Sequence, residues 1–372
     1  MNDTLCILPF ISLDRNADST NIPPAPCCLY QAQSKTAETF EQYWHSDEIV
    51  SVRSQMLQGE QPKGCWKCFH EESLGKTSMR QSVNSGRLDA HKTSLNTHPD
   101  HPVQVKMLAG ATCNLACRMC VGHVSSKVNT VWQAIGRPSQ DPYKYDQQAD
   151  QYIRNNAQHI AYIDLMGGEP LYHKKLIALL KFLVDSNNAN HITLYLTTNG
   201  MLIKDEIKNL LLKFKKVVSI FSLDGVGVVH EYIRPGSEWQ TIIDNMSTLR
   251  LFENIDVLVQ PTISVLNILR LPELDQWCKD NNYHMTQKCL VHDPIELHPK
   301  QLPIELREKV HSNYKKFLET KTYPALGFIK QLDEHWGTNI KTAMPEWDFE
   351  TADQLENDLV TYEKVQKFLN NE

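Results

Sequence analysis

The sequence predicts an α/β fold in which parallel strands alternate with helices, and two features carry that prediction: the period of the apolar residues and the placement of the turn-forming residues. Val103-Gln104-Val105-Lys106-Met107 alternates as a strand. Ile160 to Met166, His191 to Leu196, Val217 to Leu223, Asp256 to Ile263 and Tyr283 to Val291 follow as further strands. Helical spacing runs through Leu171 to Ser186, Leu202 to Phe214, Trp239 to Phe252 and Leu271 to Asp280. Strands alternating with helices pair in parallel through right-handed crossovers. The turn signals Gly167-Gly168-Glu169-Pro170, Thr197-Thr198-Asn199-Gly200 and Ser222-Leu223-Asp224-Gly225 each close an apolar run, at the strand ends where barrel folds place chemistry.

Ahead of the second strand lies Cys113-Asn114-Leu115-Ala116-Cys117-Arg118-Met119-Cys120, a C-x3-C-x2-C pattern. Thiolates are the usual holders of iron–sulfur clusters, and full protein ligation takes four. Three would leave one iron of a four-iron cluster open to a small ligand. A structural zinc site wants four ligands, often as two C-x2-C pairs about 15–20 residues apart. Cys65/Cys68 and Cys117/Cys120 are such pairs, but far more chain separates them and Cys113 is left over. Buried core cysteines are the other alternative.

Together with Gly167-Gly168-Glu169-Pro170, the cysteine motif resembles the radical S-adenosylmethionine (radical SAM) enzymes. The resemblance implies a partial (β/α)6 TIM-like barrel and a [4Fe–4S] cluster on Cys113, Cys117 and Cys120 with an open iron that binds SAM. It places Gly167, Gly168, Glu169 and Pro170 at the methionine amino group, where paired glycines admit a close ligand and Glu169 can accept from an ammonium. Asn199, Ser222 and Asp224 are expected at the ribose or carboxylate, and Arg234 of Tyr232-Ile233-Arg234-Pro235-Gly236 near the cofactor or substrate carboxylate. Gln260 to Asn267 resembles the segment that lies along the adenine. Met119 replaces the aromatic residue that relatives usually place before the third cysteine, and a polarizable thioether suits the same contact.

A second set, Cys6, Cys27-Cys28 and Cys65-Trp66-Lys67-Cys68, precedes the barrel. It resembles the twitch (shortened SPASM-type) module, which implies a second [4Fe–4S] cluster on Cys6, Cys27, Cys65 and Cys68, with Cys28 as alternative to Cys27. Zinc suits four thiolates equally on spacing alone. The expected organisation is a cysteine-rich module over 1–84, a linker over 85–102, the barrel over 103–291 and a mostly helical extension over 292–372. His91, His98 and His101 fall in the proline-bearing linker and read as polar connection.

The chain has 372 residues, enough for a barrel with an appended module. No run of about 18 apolar residues argues for a membrane span, and the start lacks the pattern of a secretory signal. Eight of the ten cysteines fall in the two sets, and such clustering without a secretory signal points to a reducing cytoplasm. Net charge is −6 with no basic block, so nucleic acid is not an expected partner. No repeat or low-complexity tract interrupts the pattern.

The resemblance implies that one electron splits SAM to a 5′-deoxyadenosyl radical, which takes a hydrogen from substrate, with net oxidation when the auxiliary cluster accepts an electron. Flavodoxin or ferredoxin is the implied electron donor. Cys289 is a weak candidate for returning a hydrogen atom, as in radical epimerases. No leader-binding domain precedes the module, so a peptide and a small molecule stand equally as substrates. A peptide maturase, an epimerase and a non-catalytic zinc scaffold are the competing assignments.

Overall fold

A computed structural model describes residues 3–15, 24–32, 39–286, 289–318 and 325–347. Its strands are β1 (Ser12–Arg15), β2 (Pro24–Ala25), β3 (Gln104–Leu108), β4 (Tyr162–Met166) and β5 (Thr193–Thr198), then β6 (Lys216–Phe221), β7 (Ile255–Val259), β8 (Thr262–Ile263), β9 (His284–Met285) and β10 (Cys289–Leu290). Eight of them form one sheet in the order β2-β1-β3-β4-β5-β6-β7-β9. Every neighbouring pair in it is parallel except β1 with β2. This mixed α/β architecture, built on a mostly parallel sheet, is that of a partial TIM-like barrel.

Alternation along the strands has a direct structural meaning. In β4, β5 and β6 every second residue is fully covered by the outer helices, and the residues between face the barrel interior and stay half-buried. Val105, Met107, Ile163, Leu165, Leu194, Leu196 and Val217 thus enter one large core with Leu176, Leu179, Leu180 and Leu183 of the helix Lys174–Asp185. The helix Leu271–Asp280 has the expected bounds, and Trp239–Leu249 ends three residues early.

Four features depart from the expectations. The strand over Asp256 to Ile263 breaks at Gln260-Pro261, where proline has no N–H for the ladder, and its second piece β8 pairs with β10. The strand over Tyr283 to Val291 is likewise β9 and β10, with residues 287 and 288 outside the described set. The crossover from β3 to β4 carries the helices Ser126–Ala134 and Gln147–Asn156, capped by the side chains of Ser125 and Asp146. Finally, β1 lies parallel to β3, with Ser12 opposite Gln104. The cysteine-rich segment therefore lends a strand to the barrel's own sheet, and the helix Met79–Arg87 spans the expected boundary at residue 84.

After β10 the described chain is helical, and residues 348–372 lie outside it. Leu297, Leu302, Leu306, Phe328, Ile329, Leu332 and Trp347 build a second core with Ala116, Met119 and Val121 of the cysteine loop. The extension thus packs directly on that loop. No helix among the described residues is long and apolar enough to cross a membrane.

Candidate cofactor site

The loop after β3 is stitched to the segment after β6 by backbone bonds from Ala116 N to Pro235 O (3.3 Å) and from Arg118 N to Ile233 O (2.9 Å). That stitching brings Arg234 to Cys117, whose sulfur accepts from the guanidinium at 3.6 Å. Arg234 Nε donates to Asp224 Oδ2 at 2.5 Å, and Asp224 Oδ1 accepts from Thr262 N at 2.8 Å. One chain of polar contacts therefore links the loops after β3, β6 and β7.

A second staple is Glu169. Its Oε1 accepts from Leu171 N (3.1 Å) and Thr198 Oγ1 (2.9 Å), and its Oε2 from Asn199 N (2.7 Å). Asn199 in turn donates to Asn114 Oδ1 at 2.8 Å. Burial pushes the Glu169 carboxyl up to about 7, against the pull of its three donors. Glu169→Gln is expected to lower stability by about 1–3 kcal/mol, because a Gln NH2 must face one of those donors. Urea unfolding of the two proteins checks it; equal midpoints would count against the staple.

The cavity these loops enclose holds about 240 Å³. Cys113, Cys117 and Cys120 line it together with Met119, Gly167, Gly168, Asn199, Ser222 and Arg234. Thr197, Thr198 and Thr262 complete its wall, with Ser125 from the loop behind the third cysteine. Burial and the neighbouring thiols push Cys113 up to about 12, and Arg234 draws it down. Three thiols on the wall of one cavity of mixed polar and apolar lining, beside a fixed cation, suit a three-thiolate cluster with a ligand in the remaining space.

Three expected contacts do not reach this space. Glu169 is 1% exposed with both oxygens engaged, Pro170 is buried beside it, and Asp224 is 0% exposed beneath Arg234. Each fixes the wall from behind. The paired glycines also serve a purpose other than ligand approach alone. A Cβ on Gly167 (φ +140°) would meet Gly110 O at 2.8 Å, and one on Gly168 would meet Thr112 O at 2.5 Å. They let the loop after β4 run against the stem of the cysteine loop. Cys289 is exposed, opposite Thr262 in β10, and does not line the cavity.

The sequence reading passes over Arg118. Its side chain is 1% exposed between two cysteines of the motif, and it donates to Tyr232 O (2.7 Å) and Thr338 Oγ1 (2.5 Å) and pairs with Asp333 at 3.1 Å. An arginine inside an otherwise small and apolar motif was the available signal.

Cys6, Cys27, Cys65 and Cys68 line a separate cavity with Tyr30 and Arg80. Burial pushes Cys6 and Cys65 up to about 12. Arg80 is held by Glu72 Oε2 at 2.5 Å and donates to Leu5 O at 2.8 Å. Cys28 instead lines the neighbouring cavity, with Asp14 and Lys106. Among the described residues no three His, Cys, Asp or Glu converge closely enough for one metal ion, at either cysteine set.

Residues 107–261 match the model of the Radical SAM superfamily. No curated protein matches the chain. Among solved structures, the chain is similar to native anSMEcpe with bound AdoMet, at 17% identity and a TM-score of 0.40 over 51% of this chain and 52% of that one. It is similar to SuiB of Streptococcus suis bound to S-adenosylmethionine, at 15% identity and a TM-score of 0.40 over 82% and 66%. A third is the radical S-adenosylmethionine methyltransferase TsrM of Kitasatospora setae with cobalamin and a [4Fe-4S] cluster, at 14% identity and a TM-score of 0.36 over 50% and 36%. The chain spans about half the length of anSMEcpe.

Proposed function

We propose that the chain is a radical SAM enzyme in which Cys113, Cys117 and Cys120 hold a [4Fe–4S] cluster and SAM occupies the cavity beside them. One observation carries the reading: three thiols, two glycines, Asn199, Ser222 and Arg234 converge on one cavity from the ends of successive parallel strands. When bound, such a cluster supplies the electron that cleaves SAM to a 5′-deoxyadenosyl radical.

The chain's own residues bind, orient and exclude water. Gly167 and Gly168 offer backbone to the methionine end of SAM, and Asn199 and Ser222 offer hydrogen bonds to its polar groups. Met119, 7% exposed on the cavity wall, packs against the adenine. Arg234 sets a fixed positive charge beside the Cys117 sulfur and favours its thiolate. Asp224 and Glu169 act as positioning residues behind the wall.

Cys6, Cys27, Cys65 and Cys68 hold a second cluster in a twitch-like module over 1–84, with Cys27 rather than Cys28 as ligand because Cys27 shares the cavity of the other three. A peptide or small molecule is the substrate, a flavodoxin or ferredoxin the electron donor, and the cytoplasm the compartment. Anaerobically reconstituted protein given dithionite and SAM is expected to form 5′-deoxyadenosine, read by liquid chromatography; if none forms, the proposal fails.

A further inference from the structure

Beside the amino-terminal cysteine cavity lies a third one, lined by Asp14 of β1, Lys106 of β3, Asp164 of β4, Arg87 and Cys28. It shares Cys27 with the amino-terminal cysteine cavity. Asp164 stands three residues before Gly167 on the interior face, about 10 Å along the strand from the SAM cavity at about 3.3 Å per residue.

The charges in it are arranged unevenly. Lys106 Nζ is 3.4 Å from Asp14 Oδ2, so that pair is internally balanced. Asp164 sits opposite Lys106 across β3 and β4 and opposite Tyr195 across β4 and β5. Among the described residues nothing donates a hydrogen bond to its carboxylate, although burial pushes that carboxyl above its ordinary range. Arg87 lies flat over Tyr162 at 4.7 Å and over Tyr195 at 5.2 Å, with Nη1 donating to Gln104 Oε1. Its guanidinium is thus fixed in place with donors left over. Asp164 and Arg87 therefore share the cavity wall without a direct ion pair, while the charges of Lys106 and Arg87 both pull the Asp164 carboxyl down from further off. Both side chains are half-buried and line the cavity, where a ligand can reach them.

We propose that this cavity is the substrate site and that it takes a free α-amino acid, the ammonium on Asp164 and the carboxylate on Arg87. The opposite charges of the ligand complement these two groups, and the planar guanidinium matches a carboxylate. The inference rests on the radical SAM reading for the purpose of the site but not for the binding itself.

The test is equilibrium dialysis of the reconstituted holoprotein with the labelled L-amino acids, each taken singly, in the presence of SAM. At least one is expected to bind, with its dissociation constant raised about tenfold or more by Asp164→Asn and by Arg87→Gln. In the wild type, the amine lacking the carboxylate should compete at least about tenfold more weakly. Absence of binding by every amino acid overturns the proposal, as does a variant that binds like wild type, or equal competition by the bare amine or by 1,2-propanediol. Amino-acid binding without deoxyadenosine formation would sink the enzymatic reading and leave this site standing. The reverse result would do the opposite.

Discussion

Cys113→Ala is expected to cut the iron of reconstituted protein from about eight atoms to about four and to abolish deoxyadenosine formation. Cys113 is 8% exposed, and its sulfur accepts from Leu115 N at 3.4 Å, so it is already oriented toward the cavity. Removing one of only three thiolates leaves two, too few to keep a four-iron cluster with an open position. Cys65→Ala should also remove about four irons if the four amino-terminal thiols hold the proposed second cluster. The paired variants separate the sites: iron loss with retained SAM cleavage belongs to the amino-terminal set. Zinc rather than iron lost from Cys65→Ala, by metal analysis, would return that set to a structural role.

Asp333→Ala should destabilise the chain by about 3–5 kcal/mol, the usual penalty when one partner of a buried ion pair is removed. Its partner Arg118 has a side chain 1% exposed, and the remaining contacts are Tyr232 O, Thr338 Oγ1 and the Tyr232 ring at 4.0 Å. None of these neutralises the charge. Because Arg118 lies between Cys117 and Met119, the strain falls on the loop that carries the cysteines, and iron should be lost faster on exposure to chelator. The double variant Arg118→Met, Asp333→Leu should recover most of the stability, since apolar replacements of a buried pair are often neutral. Urea unfolding reads both; a double variant as weak as the single one would count against the charge argument.

The middle strands were legible because their two faces differ. Ile163 and Leu165 pack under helices while Tyr162, Asp164 and Met166 look inward, and that difference is written as alternation. The cysteine cavity was legible because its residues sit at the turns that end those strands, so order along the chain becomes proximity in space. What stayed hidden depends on partners distant in sequence. Ser12-Leu13-Asp14-Arg15 is too short to declare itself as a strand, and only Gln104 and Val105 give it a place. Glu169 reads as a ligand contact until Thr198 and Asn199 occupy its oxygens. Asp164 stood in plain view as an acid within Tyr162-Ile163-Asp164-Leu165-Met166, yet local pattern cannot tell an inward carboxylate from a solvated one.

The parallel pairing of Ser12 with Gln104 bears on how the molecule assembles. A ribosome releases the first strand well before its neighbour exists, so Ile7, Phe10, Ile11 and Leu13, all destined for complete burial, wait in solvent until the third strand emerges. Pairing so far apart in sequence is entropically slow to form. During that delay the early thiols Cys6, Cys27, Cys65 and Cys68 are within reach of oxidants and stray metals. Chaperone binding and a supply of iron and sulfide during synthesis should therefore govern yield more than any later treatment of the finished protein.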